Sequence, residues 1–198
     1  GGAGIAGKLF VGTDLDVNGT TNLDAVDIDG TVTVGVDGTG LDVKFFGDTA
    51  SAFMEWDQSA DELEIRGPVA TPGKLLLSTA EATVVDGNKL GQINFQAPVD
   101  DAGSDAIVVG ASIVAEADAT FSSTVNSTDL VFLTADSGVA TEKLRIDSTG
   151  QVTFADGAID VNIASHDTSN GLKLGGTLVT ATAAELNYSD GVTSAIQT

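Results

Sequence analysis

The chain has 198 residues, 42% of them hydrophobic, and a formal net charge of −21 at pH 7. This apolar content argues against intrinsic disorder, and only 8 Lys and Arg argue against binding to nucleic acid or to an anionic membrane surface. Cys is absent, which excludes disulfides and thiolate metal sites, and no run of 18 apolar residues predicts membrane insertion.

The apolar residues are mostly small. Aromatic residues make up 5% of the chain, too few to fill a thick monomeric core. A narrow core lined by Val, Ile, Leu and Ala is typical of solenoids and fibres. The chain opens on GGAGIAG without an initiator Met, so we expect a processed chain or a segment of a longer one.

The first segment, 1–66, is predicted to be a β-repeat shaft. An apolar–any–apolar–Asn/Asp–Gly unit recurs in it as LDVNG (15–19), VDIDG (26–30) and VGVDG (34–38). Alternation at period two indicates strands, and Asn-Gly or Asp-Gly supplies tight turns. Two further strand-like runs lie in 41–66, around the most aromatic stretch.

Residues 67–73, GPVATPG, hold two of the three prolines and form the predicted linker. The longer alternating runs of 74–156 predict a central β-sandwich-like domain, and 157–180 returns to the short-unit style of a β shaft. The predicted core of the central domain is Ile93, Phe95, Ile107, Val109, Ile113, Leu130, Phe132, Leu144 and Ile146.

The last segment, 181–198, predicts a short helix. Thr182 and Glu185 have the spacing of a capping box, and Asp190-Gly191 would end the helix after about two turns. A helix of this length is marginal alone in water, so it needs a packing partner.

Few residues suggest chemistry. Asp14, Asp16 and Asn18 match the first half of a calcium-binding EF-hand loop, but the twelfth position is Ala25 rather than Glu. A strand with a hairpin turn is the better interpretation, and a structural Ca²⁺ remains the weak alternative. We expect no other cofactor.

No catalytic constellation is evident. His166 is the only His, and nothing marks a neighbouring nucleophile. Paired carboxylates, Glu55 with Asp57 or Glu62 with Glu64, could serve glycoside cleavage, but Trp56 would point to the opposite strand face. We therefore predict a protein without enzymatic activity and without catalytic residues.

The C-terminal stretch carries a family resemblance. TAAELNYSDGVTSAIQT (182–198) resembles the TAAELN-x-x-DGVT units of bacteriophage tail fibres, and EKLRIDSTGQV (142–152) resembles a stretch of their distal halves. Residues 44–65 and 89–121 are similar to segments of fibres from marine phages and cyanophages.

The resemblance implies an elongated, all-β homotrimeric fibre with an intertwined shaft. Three copies of the terminal helix would form a three-helix bundle through Leu186, Tyr188 and Ile196. It implies a virion location outside the cell, and as partners its own copies, other virion tail proteins and a host-surface receptor or glycan. A bacterial adhesin or calcium-stabilised β-solenoid is the alternative, and a polysaccharide depolymerase is a third.

Overall fold

The structure is a computed structural model. It describes residues 6–13, 15–97, 105–155, 157, 160–167 and 169–187. Strands are the main regular element in these ranges and one five-residue helix accompanies them, so the all-β prediction is confirmed. The chain divides into two compact units, Gly1–Leu75 and Leu76–Thr198. The predicted domain limits stay a prediction.

The first unit contains an antiparallel sheet of three strands in the order β1-β2-β3: β1 Val43–Phe46, β2 Phe53–Asp57 and β3 Glu62–Arg66. Asp57 closes the turn between β2 and β3, because its Oδ1 accepts hydrogen bonds from the backbone N–H of Ser59 (2.8 Å) and of Ala60 (3.1 Å). The alternating pattern of β2 therefore ends at a residue suited to a turn.

No strand is present in the described residues before β1, where we expected short strands at 15–19, 26–30 and 34–38. The one pairing there is an isolated bridge between Val36 and Thr39. That expectation is wrong for the single chain. A two-stranded hairpin is marginal without a layer to cover its apolar face, and the apolar residues of this stretch, such as Leu15 and Ile28, are exposed.

The predicted linker, 67–73, forms a tight turn against β3. The Thr71 N–H donates to the Pro68 carbonyl (3.0 Å). A Cβ on Gly73 would overlap the carbonyl of Ile65, and one on Gly67 would overlap the carbonyl of Thr71. Glycine at both ends therefore permits a backbone approach that any other residue would block.

The second unit contains an antiparallel sheet in the order β4-β5-β6-β7-β8. The strands are β4 Lys89–Gln96, β5 Val109–Ala117, β6 Thr128–Thr134, β7 Thr141–Ile146 and β8 Val152–Phe154. The expected β-sandwich is wrong for the described residues of 74–156, because they form one sheet and no second layer. Each strand pairs with the next one along the chain, so the sheet is a meander, in line with the tendency of consecutive strands to be neighbours.

The unit continues with a small hairpin and the helix. Strands β9 Lys173–Leu174 and β10 Thr177–Leu178 pair across the positive-φ residues Gly175 and Gly176. Helix α1, Ala183–Asn187, confirms the predicted start of the helix, and residues 188–198 lie outside the described part of the chain. No described helix is long and apolar enough to span a bilayer.

Little apolar surface is buried. Within the described ranges, the buried hydrophobic residues are Val114, Ala117 and Val131. Many large apolar side chains in these ranges lie in contact with solvent instead, among them Phe46 (79% exposed) and Leu76 (84% exposed).

Candidate functional site

The weak calcium candidate gains no support from the structure. Asp16 and Asn18 lie in an exposed segment without strands, and Asp14 lies outside the described residues. Among the residues that the structure describes, no group of three or more His, Asp or Glu side chains could hold a metal ion.

The paired carboxylates lie on one face of the three-stranded sheet. Glu55 is opposite Glu64, and Asp57 is opposite Glu62. Glu55 Oε2 lies 2.7 Å from Lys44 Nζ, and Glu64 Oε1 lies 2.9 Å from Arg66 Nη2, so each has a cationic partner.

Asp57 does not have the environment of a general acid. A general acid needs a raised pKa, whereas hydrogen bonds from the Ser59 side chain and backbone lower the pKa of Asp57. Trp56 pairs with Val43 and Leu63, on the alternate face from Glu55 and Asp57, as predicted. A sugar stacked on Trp56 would therefore lie on the opposite side of the sheet from the carboxylates.

The second face of the three-stranded sheet is entirely apolar. Its two cross-strand rows join residues of all three strands, and Phe45 is 59% exposed. We call this surface face N. The residues of face N are Val43, Phe45, Met54, Trp56, Leu63 and Ile65.

The five-stranded sheet has a larger and mainly apolar surface, which we call face C. One apolar row crosses all five strands, from Ile93 to Phe154, and several residues are widely exposed, including Phe95 (54%) and Val152 (52%). The residues of face C are Ile93, Phe95, Ala111, Ile113, Ala115, Leu130, Phe132, Leu144, Ile146, Val152 and Phe154.

Face C contains most of the predicted core. Seven of the nine predicted core residues lie on it, yet none of the nine is buried in the single chain. The alternation in the sequence correctly placed seven of these residues on one side of the strands, but no second sheet covers them in the described part of the chain.

The opposite face of this sheet carries a charged cluster around Arg145. Its Nη1 contacts Asp129 Oδ2 (2.5 Å), its Nη2 contacts Glu116 Oε1 (3.1 Å), and two of its nitrogens bind the carboxylate of Glu142. Asp129 is 3% exposed, and its second oxygen accepts from the Ser148 N–H at 2.9 Å.

The charged groups of the cluster stabilise one another in their ionised forms. Hydrogen bonds to Glu142, and then to Asp129, raise the pKa of Arg145, while the guanidinium lowers the pKa of Glu142. Arg145 therefore acts as a structural counter-ion. Sequence reasoning missed it, because its partners Asp129 and Glu116 are 16 and 29 residues away and meet it only through the strand register.

The predicted interface residues of the last segment are partly visible. Leu186 is on α1 and is 47% exposed, whereas Tyr188 and Ile196 lie outside the described residues. The capping box is formed: the Thr182 N–H donates to Glu185 Oε2 (2.8 Å), and the Glu185 N–H donates to Thr182 Oγ1 (3.3 Å).

Comparisons with family models, with curated proteins and with solved structures found no match for this chain.

Proposed function

We propose that the protein is a structural segment of a trimeric bacteriophage tail fibre that takes part in attachment to the host surface. It acts by assembly rather than by catalysis. Its partners are two further copies of the chain, other tail proteins of the virion, and a receptor or glycan on the host cell.

The observation that carries this proposal is the pair of exposed apolar faces. Contiguous exposed apolar patches of several hundred Å² often mark a functional contact surface. Five strands about 4.8 Å apart and about 17 Å of strand length give face C a footprint of about 400 Å². The chain exposes face N as well, together with apolar side chains of the segment before β1 such as Phe10 and Leu15, and burial against further copies would cover them.

The free energies of burial and of association indicate that several surfaces act together. Burying about 400 Å² of apolar surface stabilises by about 10 kcal/mol per chain, and association costs about 4–15 kcal/mol. Face C alone would therefore give weak association. Face N and a three-helix bundle through Leu186, Tyr188 and Ile196 would supply the rest.

The number of copies is taken from the resemblance of 182–198 to tail-fibre units. Trimeric packing would give the short helix the partners that it lacks alone. It would also make the segment before β1, which has no strand in the single chain, the place where chains intertwine in a shaft.

Sedimentation equilibrium and native mass measurement test the proposal. We expect a mass of three chains that persists at nanomolar concentration, and an elongated particle in electron micrographs. A stable monomer at micromolar concentration would overturn the proposal. Release of reducing sugar from host polysaccharide would instead support the depolymerase alternative.

A further inference from the structure

His166 is held by hydrogen bonds at both ring nitrogens. The Leu172 backbone N–H donates to Nδ1 (3.2 Å), and Nε2 lies 3.2 Å from the carbonyl oxygen of Ala181. A backbone N–H can only donate and a carbonyl oxygen can only accept. Nδ1 is therefore unprotonated and Nε2 carries the proton, so the imidazole is neutral.

The ring is also packed against the backbone. Gly171 has φ +121°, and a Cβ at this position would overlap the imidazole. The ring thus occupies space that only a glycine at position 171 leaves open, and the backbone there has a positive φ that glycine favours.

These contacts join three parts of the second unit. His166 itself closes a turn, since its N–H donates to the Ile163 carbonyl (2.9 Å). Leu172 directly precedes β9, and Ala181 directly precedes the capping residue Thr182. One imidazole therefore connects the loop, the hairpin and the start of α1.

We propose that His166 is a pH-sensitive latch between the β9–β10 hairpin and the start of α1. Protonation of Nδ1 would place a ring N–H against the N–H of Leu172. The hydrogen bond would be lost and two donors would face each other. In the closed arrangement both ring hydrogen bonds are formed, and Nδ1 has no place for a proton. In an open arrangement water would hydrate the protonated ring, so acidification opens the junction.

The charged residues on the three connected parts are compatible with this switch. Asp167 lies on the same loop, Lys173 on the hairpin and Glu185 on α1. Hydrogen bonds from the N–H groups of Ser169 and Asn170 lower the pKa of Asp167, and the Thr182 N–H lowers that of Glu185. Both carboxylates therefore stay ionised at mildly acidic pH, so neither changes its charge in the range where imidazoles gain theirs.

The inference does not depend on the proposed fibre, because all its contacts lie within one chain. Its test uses the full-length protein labelled with ¹⁵N. His166 is the only His of the chain, so its imidazole signals need no assignment. At about pH 8 we expect the Nε2–H tautomer in the ¹⁵N spectrum, and finding the Nδ1–H tautomer would overturn the proposal.

Amide hydrogen exchange at Leu172 measures the opening. After correction for intrinsic exchange, we expect its protection to fall about fivefold between about pH 7.5 and about pH 5, as expected for loss of one hydrogen bond. Equal protection at the two pH values would overturn the latch.

Two variants serve as controls. In His166→Gln the side chain can still accept and donate but does not titrate, so Leu172 should show no pH-dependent loss of protection. The same loss in this variant as in the wild type would overturn the role of His166. In Gly171→Ala the methyl group displaces the ring, and Leu172 should be weakly protected at both pH values.

Discussion

At the scale of single residues, Arg145 shows how a strongly acidic chain neutralises several carboxylates that lie together on one sheet face. Its guanidinium is shared by Glu116, Asp129 and Glu142, so one cation serves three anions. Asp129 is the critical member, because it is almost fully buried and a buried carboxylate is costly without a partner.

Replacing Arg145 with Met should lower the free energy of unfolding of the five-stranded sheet by about 3 kcal/mol, because it leaves the Asp129 carboxylate buried without its ion pair. Amide exchange in β5 and β6 under denaturant would measure the change. The matched control is Arg66→Met in the exposed pair with Glu64, where a loss of about 1 kcal/mol or less is expected. Equal losses in the two variants would contradict the role of burial.

The same cluster predicts a pH dependence. Arg145 lowers the pKa of Glu142, so the ionised carboxylate stabilises the fold above the ordinary glutamate pKa of about 4.3, and this stabilisation is lost as pH falls through the folded-state value. Glu142→Gln should therefore be less stable than the wild type at neutral pH, and the difference should shrink to zero in acid. Urea unfolding at a series of pH values checks this, with Glu62→Gln, on an exposed strand position, as the control.

At the scale of elements, the turn 67–73 depends on two close backbone approaches. Gly73→Ala should destabilise the three-stranded sheet by about 2 kcal/mol or more, because the methyl group would overlap the carbonyl of Ile65 and force β3 or the turn to move. Thermal unfolding followed by the fluorescence of Trp56 reports on this sheet directly.

Gly30→Ala is the control for this prediction. Gly30 has no atom within 4 Å of an added Cβ, so the midpoint of unfolding should barely change. An unaffected midpoint in Gly73→Ala as well would show that the turn is not tightly packed in solution.

The elements also show which patterns in the sequence were informative. Alternation predicted strands in 41–66 and 74–156, and strands are present in 43–66 and 89–154, but none lies in 74–88. The spacing of Thr182 and Glu185 predicted the start of α1, because a capping box is a local signal. Alternation in 15–38 was equally regular but gave no strand, since a strand also needs a neighbour.

The candidate sites were less predictable. Face C followed from alternation, whereas the Arg145 cluster needs the register of β5, β6 and β7. The contacts of His166 with Leu172 and Ala181 depend on how a loop, a hairpin and a helix meet, and no pattern in the sequence carries that information.

At the scale of the whole molecule, the proposed assembly rests on faces that the single chain leaves open. Ile113→Asp, at the centre of face C, should raise the dissociation constant of the assembly at least 100-fold, because a carboxylate would be buried at the interface. Sedimentation equilibrium measures this, and circular dichroism verifies that the sheet remains folded.

Thr153→Asp is the matched control on the opposite face of the same sheet, where it pairs with Arg145. It adds the same charge, and we expect no more than a small change in the dissociation constant. If both variants weaken association equally, net charge rather than face C is responsible. If neither does, face C is not the interface.

The net charge of −21 sets a second expectation for the molecule. Copies of one acidic chain repel each other, and salt screens this repulsion. Raising the ionic strength from about 0.05 M to about 0.5 M should therefore tighten the assembly. Weaker association at high salt would indicate that ion pairs between chains dominate.

The five-stranded sheet is open, and the edges of its two outer strands, β4 and β8, are templates for pairing with strands of other chains. β8 has three residues, so it offers few unpaired backbone groups, while the pairing of β4 with β5 is irregular near both ends, between Lys89 and Gly91 and between Phe95 and Gln96. Short or irregular borders discourage lateral growth. Such a chain can therefore associate through face C at high concentration without extending its sheet into amyloid fibrils.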